Sequence, residues 1–210
     1  MKTTPWRMVL AVAALLVGLT AQVHSVRASE APTVEQAQAI VETTTAAVVA
    51  VLREANAPLR ANHRAFVDVV ETHVSPYIDY ARLARLVLGS HWKSANPDQR
   101  SQFTEQLKQL VTRSYSAALP RLVGAEVTYQ EPRLSKNGKR VVVRTKVSTT
   151  EGARLAVSYH MYRSETTWRL YDLSVEGVSM MTTYRRSFAQ QLKTGTFDAL
   201  IEHMSGLNAT

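Results

Sequence analysis

Apolar positions recur at helical spacing from residue 33 to about residue 119, after which the period changes to two. Thr33-Val-Glu-Gln36 carries a capping-box pattern, and Ala37, Val41, Val48, Val51 and Leu52 follow on one stripe. A first helix is therefore expected until Asn56-Ala57-Pro58 breaks it. Phe66, Val67 and Val70 predict a short second helix. Ser75-Pro76 offers a cap and a helix-opening proline for a third, which carries Ile78, Leu83, Leu86 and Val87 up to Gly89. A fourth opens at Asn96-Pro97 with Gln99 in the reciprocal capping position. Its stripe is Phe103, Leu107, Leu110, Val111, Ser114 and Ala118, and it stops before Pro120.

Beyond Gly124 the alternation is that of strands. Val127 and Tyr129 suggest the first, and Ser135-Lys-Asn137-Gly138 reads as a hairpin turn, because Asn-Gly tolerates positive φ. In residues 139–149 Val141, Val143, Thr145 and Val147 share one face while Arg144, Lys146 and Ser148 share the other. That is the pattern of a sheet covered on one side. Glu151-Gly152 turns the chain into a third strand with Leu155, Val157, Tyr159 and Met161 on its apolar face. The fourth, Trp168–Glu176, is too evenly amphipathic to assign an inward face, and Gly177 is expected to end the sheet. Ser179 caps a further helix carrying Tyr184, Phe188 and Leu192 up to Gly195, and a last helix carries Leu200, Ile201 and Met204. Helices, a four-strand antiparallel meander, then helices make an α+β fold, with helices packed on one face of a curved sheet.

The first residues stand apart. Lys2 and Arg7 precede the apolar run Met8–Ala21, and small residues follow at Ser25, Ala28 and Ser29. This is a secretory signal peptide by pattern, with cleavage after Ala28 or, second, after Ser25. The run falls short of the roughly 20 apolar residues that cross a bilayer. Residues 1–28 are thus leader and 29–210 a single domain, exported and monomeric.

Composition narrows the chemistry. The chain has no cysteine, which excludes thiol nucleophiles, thiolate zinc sites and iron–sulfur clusters together. His24, His63, His73, His91, His160 and His203 form no His-x-x-x-His or His-Glu-x-x-His pair, so no metal site is expected. Glu176-Gly177-Val178-Ser179-Met180 lacks the second glycine of a nucleophile elbow, and the eight glycines build no phosphate loop. One enzymatic arrangement stays open: Asp172 as general base with Glu176 as its partner, against Asp172 as a structural acid. A net charge of +8 from 25 Lys and Arg against 17 Asp and Glu raises nucleic acid binding. The cations are scattered and no basic run is interleaved with aromatics, so none is expected.

Two stretches carry a resemblance. Ser75-Pro-Tyr-Ile-Asp79 through Leu88-Gly89-Ser-His-Trp92-Lys-Ser-Ala-Asn-Pro97-Asp-Gln-Arg100, then Phe103 and Tyr115, resembles the helical signature of the periplasmic phospholipid carrier family MlaC, the toluene-tolerance auxiliary proteins. Trp168-Arg-Leu-Tyr-Asp172-Leu-Ser-Val-Glu176-Gly-Val-Ser179, with Tyr184-Arg185 and Phe188, is similar to its second signature. The likeness runs from about residue 33 to 205. It implies an apolar pocket enclosed by helices and sheet that holds a diacyl phospholipid as cargo and maintains outer-membrane lipid asymmetry. It also implies an inner-membrane ABC transporter with an MCE-domain ring and an outer-membrane lipoprotein–porin complex as partners, and neither catalysis nor a cofactor. A plain adaptor is the remaining alternative.

The faces read above nominate the lipid-binding residues. From the helices these are Leu83, Val87, Phe103, Leu107, Leu110, Tyr115, Met181 and Tyr184; from the sheet, Val143, Val157, Tyr159, Met161, Tyr171 and Leu173. Arg185 and Arg186 are nominated for partner docking.

Overall fold

The computed structural model describes residues 31–54 and 63–209. The expected leader, residues 1–28, and the predicted break at Asn56-Ala57-Pro58 lie outside the described residues. Helices α1 (Val34–Glu54), α2 (His63–His73), α3 (Tyr80–Leu88) and α4 (Pro97–Ser116) precede strands β1 (Glu126–Leu134), β2 (Arg140–Ser148), β3 (Arg154–Arg163), β4 (Trp168–Val175) and β5 (Val178–Ser179). Helices α5 (Met180–Gln191) and α6 (Phe197–Ala209) follow. The sheet is an antiparallel meander in the order β1-β2-β3-β4-β5.

Both predicted capping boxes form. Gln36 N donates to Thr33 Oγ1 at 3.4 Å and Thr33 N to Gln36 Oε1 at 3.0 Å, opening α1. Gln99 N donates to Asn96 Oδ1 at 2.9 Å and Asn96 N to Gln99 Oε1 at 3.1 Å, opening α4 behind Pro97. The expected start of the third helix at Ser75-Pro76 is corrected. Those residues begin a separate 3-10 turn, Ser75–Tyr77, after which Ile78 is extended and bridges Leu170 of β4. Asp79 N then donates to Leu170 O at 3.0 Å, and the Asp79 side chain caps α3 by accepting from Arg82 N at 2.8 Å. A pairing to the sheet edge, invisible to local pattern, outweighs continuation of the helix.

Two turns also differ from expectation. At Ser135–Gly138 only Gly138 has positive φ, at +65°; Asn137 contributes its side chain instead, accepting from Lys139 N at 3.1 Å and Ser135 Oγ at 2.8 Å. Nor does Gly177 end the sheet. With Glu176 at φ 50° and Gly177 at φ 77° it reverses the chain into β5, which pairs with Ser174 and Val175. Between them, Ile78 and β5 cover part of the outer edge of β4.

The sheet face of Val141, Val143 and Met161 packs with Trp168 against Ala37 and Val41 of α1. Trp168 Nε1 donates to Thr33 O at 2.6 Å and pins β4 to the start of α1. Further along α1, Val48 and Leu52 join Phe66, Val69, Val70 and Leu119. A third cluster is helical, built by Leu83, Val87, Phe103, Leu107, Val111, Phe188, Leu200 and Met204. On the opposite sheet face the first turns of α3 and α5 reach Tyr162 and Asp172.

Candidate functional site

The nominated residues fall into two sets. Leu83, Val87, Phe103, Leu107, Val143 and Met161 are closed core, none exceeding 1% exposure. Leu110, Tyr115, Val157, Tyr159, Tyr171, Leu173, Met181 and Tyr184 are half-buried. Leu110, Tyr115, Met181 and Tyr184 pack against the helical cluster, and Tyr159 against the α1–sheet cluster.

On the helical side an aromatic column runs inward. Tyr184 stacks on Phe188 with centroids 5.7 Å apart, and Phe188 meets Phe103 edge-on at 5.5 Å. Tyr184 and Phe188 are brought together by their four-residue spacing on α5, whereas Phe103 arrives from α4. Ser114 Oγ and the Tyr184 hydroxyl lie 3.3 Å apart. Burial drives the Tyr115 hydroxyl far above the usual tyrosine range, with nearby Tyr184 and Asp172 adding to the rise, so it stays neutral.

On the sheet side the register sets Val143 beside Tyr159 and Tyr159 beside Leu173, with Val157 opposite Val175. Tyr159, Val157 and Leu173 therefore share the face that carries Val143. A register shift between His160 and Met161 separates Tyr171 from this row. Its ring instead meets His160 and Tyr162 at 6.4 and 6.3 Å. Pattern could not reveal this bulge, which is why the fourth strand read as ambiguous. Burial also raises the Tyr159 hydroxyl, and the nearby Thr45 and Thr145 side chains partly oppose the rise; Thr145 Oγ1 is buried with no partner in hydrogen-bond geometry among the described residues.

Asp172, at 4% exposure, accepts from Ser179 Oγ at 2.6 Å and from Met181 N at 2.9 Å. Ser179 Oγ in turn accepts from Thr182 N at 3.0 Å, the predicted cap of α5. Both carboxylate oxygens thus organise a helix start, the geometry of a structural acid. Glu176 does not join it: it is exposed and accepts from Ala156 N, while its own N donates to Ala156 O at 2.8 Å. His160 Nε2 lies 3.0 Å from Ser174 Oγ, and burial holds the ring's pKa below the ordinary histidine value.

Of the nominated arginines, Arg185 is committed. Its Nε donates to Leu86 O at 2.8 Å and its Nη2 to the same oxygen, strapping α5 to the last turn of α3. Arg186 is exposed. No group of three or more His, Asp or Glu side chains among the described residues could hold a metal ion. No helix among them is long and apolar enough to cross a membrane.

Sequence reasoning missed a polar cluster. Asp79 accepts from the Tyr162 hydroxyl, Arg169 Nη1 donates to Pro76 O at 2.7 Å, and the Arg82 guanidinium lies over the Tyr162 ring. A cleft of about 600 Å³ opens beside it, lined in part by Ile78, Tyr80, Tyr162 and Arg169 and by none of the nominated apolar residues. Its members come from the 3-10 turn Ser75–Tyr77, the start of α3, β3 and β4, and no local signal joins them.

The family model described as MlaC protein matches residues 42–206. The toluene tolerance protein ttg2D of Pseudomonas putida is 24% identical over 155 residues, 73% of this chain and 72% of that one. The intermembrane phospholipid transport system binding protein MlaC of Haemophilus influenzae is 23% identical over 139 residues, spanning 65% of each chain. The phospholipid-binding protein of Ralstonia solanacearum, solved in complex with a phospholipid, superposes with a TM-score of 0.75 at 29% identity. That superposition covers 83% of this chain and 97% of the other.

Proposed function

The chain belongs to the MlaC protein family, and from that premise we propose that it is a phospholipid-binding transport protein and not an enzyme. In this reading residues 1–28 direct export and are removed, and residues 29–210 act as a soluble carrier in the periplasm. It shuttles lipid between an outer-membrane lipoprotein–porin complex and an inner-membrane MCE-domain transporter, and so maintains outer-membrane asymmetry. The observation that carries the reading is a fold shared, over most of the chain, with a protein whose structure holds a phospholipid.

The energetics favour such a device. Two acyl chains hold about 30 methylenes, and at about 0.8 kcal/mol each their exposure to water costs about 24 kcal/mol. A carrier need only match the apolarity of a bilayer, since a tighter grip would prevent release. Half-buried side chains suit that role, because they present apolar surface without dismantling the core. We assign lipid contact to two half-buried groups, Val157, Tyr159 and Leu173 on the sheet face of Val143, and Leu110, Tyr115, Met181 and Tyr184 on the helical cluster. The closed residues Leu83, Val87, Phe103, Leu107, Val143 and Met161 form the frame behind them.

Solvent extraction of protein purified from the periplasm, with lipid mass spectrometry and a phosphate assay, tests the proposal. One or two phospholipids per chain are expected, with little head-group selection, and Leu173→Asp should lower the ratio at least threefold. A protein that purifies without phospholipid, and takes none from phosphatidylethanolamine–phosphatidylglycerol vesicles, would overturn it. For docking, Arg186→Glu should weaken transporter capture without changing lipid content.

A further inference from the structure

Tyr162 points away from the face of Tyr159 and Met161, since neighbouring strand residues alternate. There a cleft of about 470 Å³ is lined by Arg82, Asn137, Lys139, Arg140, Tyr162 and Arg163. Four of these side chains are cationic and none is acidic. The Arg82 guanidinium lies 3.9 Å over the Tyr162 centroid and 6.0 Å from that of Tyr171, which holds its plane in place. Its Nε is buried and has no hydrogen-bond partner among the described residues. None of the four cations is ion-paired among the described residues. The carboxylate next to the cleft, Asp79, is already engaged: Oδ1 accepts from Arg82 N at 2.8 Å and Oδ2 from the Tyr162 hydroxyl.

On the other wall it is the backbone that is fixed. Arg163 N donates to Lys139 O at 3.0 Å, and Arg140 N to Ser135 Oγ at 3.0 Å, which ties the β1–β2 turn to the end of β3. Asn137 Oδ1 is used inside that turn, by Ser135 Oγ and Lys139 N, so the side chain turns only amide donors outward. A concave surface thus presents donors and positive charge on a backbone ordered in advance.

We propose that this cleft is an oxyanion site that receives a phosphate group, either the diester of a lipid head group or free phosphate. Guanidinium forks match tetrahedral oxyanions, and a guanidinium already stacked loses little freedom when it binds one. The assignment stands on this face alone and does not rest on the cargo reading.

Calorimetric titration of the mature chain at about 10 mM ionic strength, where the Debye length is about 30 Å, tests it. The probes are inorganic phosphate, glycerophosphoglycerol, which has the head-group diester without acyl chains, and an octaglutamate peptide. One saturable site is expected for at least one phosphate probe, weakened tenfold or more in the double variant Arg82→Gln/Arg140→Gln. Tighter binding of the diester assigns the site to a lipid head group; tighter binding of inorganic phosphate assigns it to the free ion. Lys139→Gln/Arg140→Gln, at two exposed positions, keeps the Arg82 stack and should still weaken binding severalfold. Absence of saturable binding by both phosphate probes, unchanged affinity in both double variants, or binding of the peptide alone would overturn the proposal.

Discussion

Thr145 places a hydroxyl on a stripe otherwise made of Val141, Val143 and Val147, and Oγ1 is buried with no partner in hydrogen-bond geometry among the described residues. An unpaired buried hydroxyl costs about 1–3 kcal/mol, and valine has nearly the same shape. Thr145→Val should therefore stabilise the protein by about 1 kcal/mol, read as a higher urea midpoint with unchanged slope. His160 makes stability depend on pH. Burial lowers its folded pKa below the ordinary 6.5, so below that value the unfolded chain binds more protons than the folded one. Its contribution is complete above pH 6.5 and is lost as pH falls below it. Asp172 partly opposes the shift and Arg144 adds to it. Melting curves between pH 7.5 and 5 should show a steeper fall for the native chain than for His160→Gln; parallel curves would remove His160 as the cause.

At the scale of an element, α5 shows how one carboxylate can be mistaken for chemistry. Asp172 sits within β4 in an amphipathic run, where an acid can serve as a base. The structure spends both its oxygens on Ser179 and Met181, so the acid sets the angle at which α5 leaves the sheet. Asp172→Ala should cost about 2–3 kcal/mol in urea unfolding, the sum of a lost cap and an orphaned buried donor. A variant of full stability, or one that loses a measurable turnover, would contradict this role.

Across the whole molecule, α1 and α6 join parts that the chain order separates. α1 gives Ala37 and Val41 to the sheet cluster and Val48 and Leu52 to the cluster with α2. α6 returns to α4: Asn208 Nδ2 donates to Gln106 Oε1 at 2.7 Å, Arg113 to Asn208 O, and Gln99 Nε2 to Asp198 Oδ1 at 2.9 Å. Leu200, Ile201 and Met204 are buried there. At about 1.5–3 kcal/mol each, their loss removes about 5–9 kcal/mol, comparable with the whole stability of a domain of this kind. A chain truncated after Gly195 should show no cooperative urea transition by circular dichroism; a transition of near-native midpoint would refute this.

Local chemistry was enough to read the helices, the Asn96–Gln99 box, the buried row Val141-Val143-Thr145-Val147 and the cap at Ser179, because caps and periodicity act within a few residues. The same range limits what it reveals. Ser75-Pro76 reads as a helix start, but the bridge from Ile78 to Leu170 moves the cap to Asp79. Leu83 and Leu110 look alike in a helical stripe, yet one is closed core and the other half-buried, since burial is settled by whichever element arrives on the outside. A bulge takes Tyr171 out of the row of Leu173, and Arg82 meets Tyr162 from 80 positions away in the chain. Caps and periodicity alone set the order of the helices, strands β1 to β4 and the apolar faces that need cover. Which apolar side chains remain accessible and which cations converge follows from the packed fold, because both depend on contacts between residues far apart along the chain.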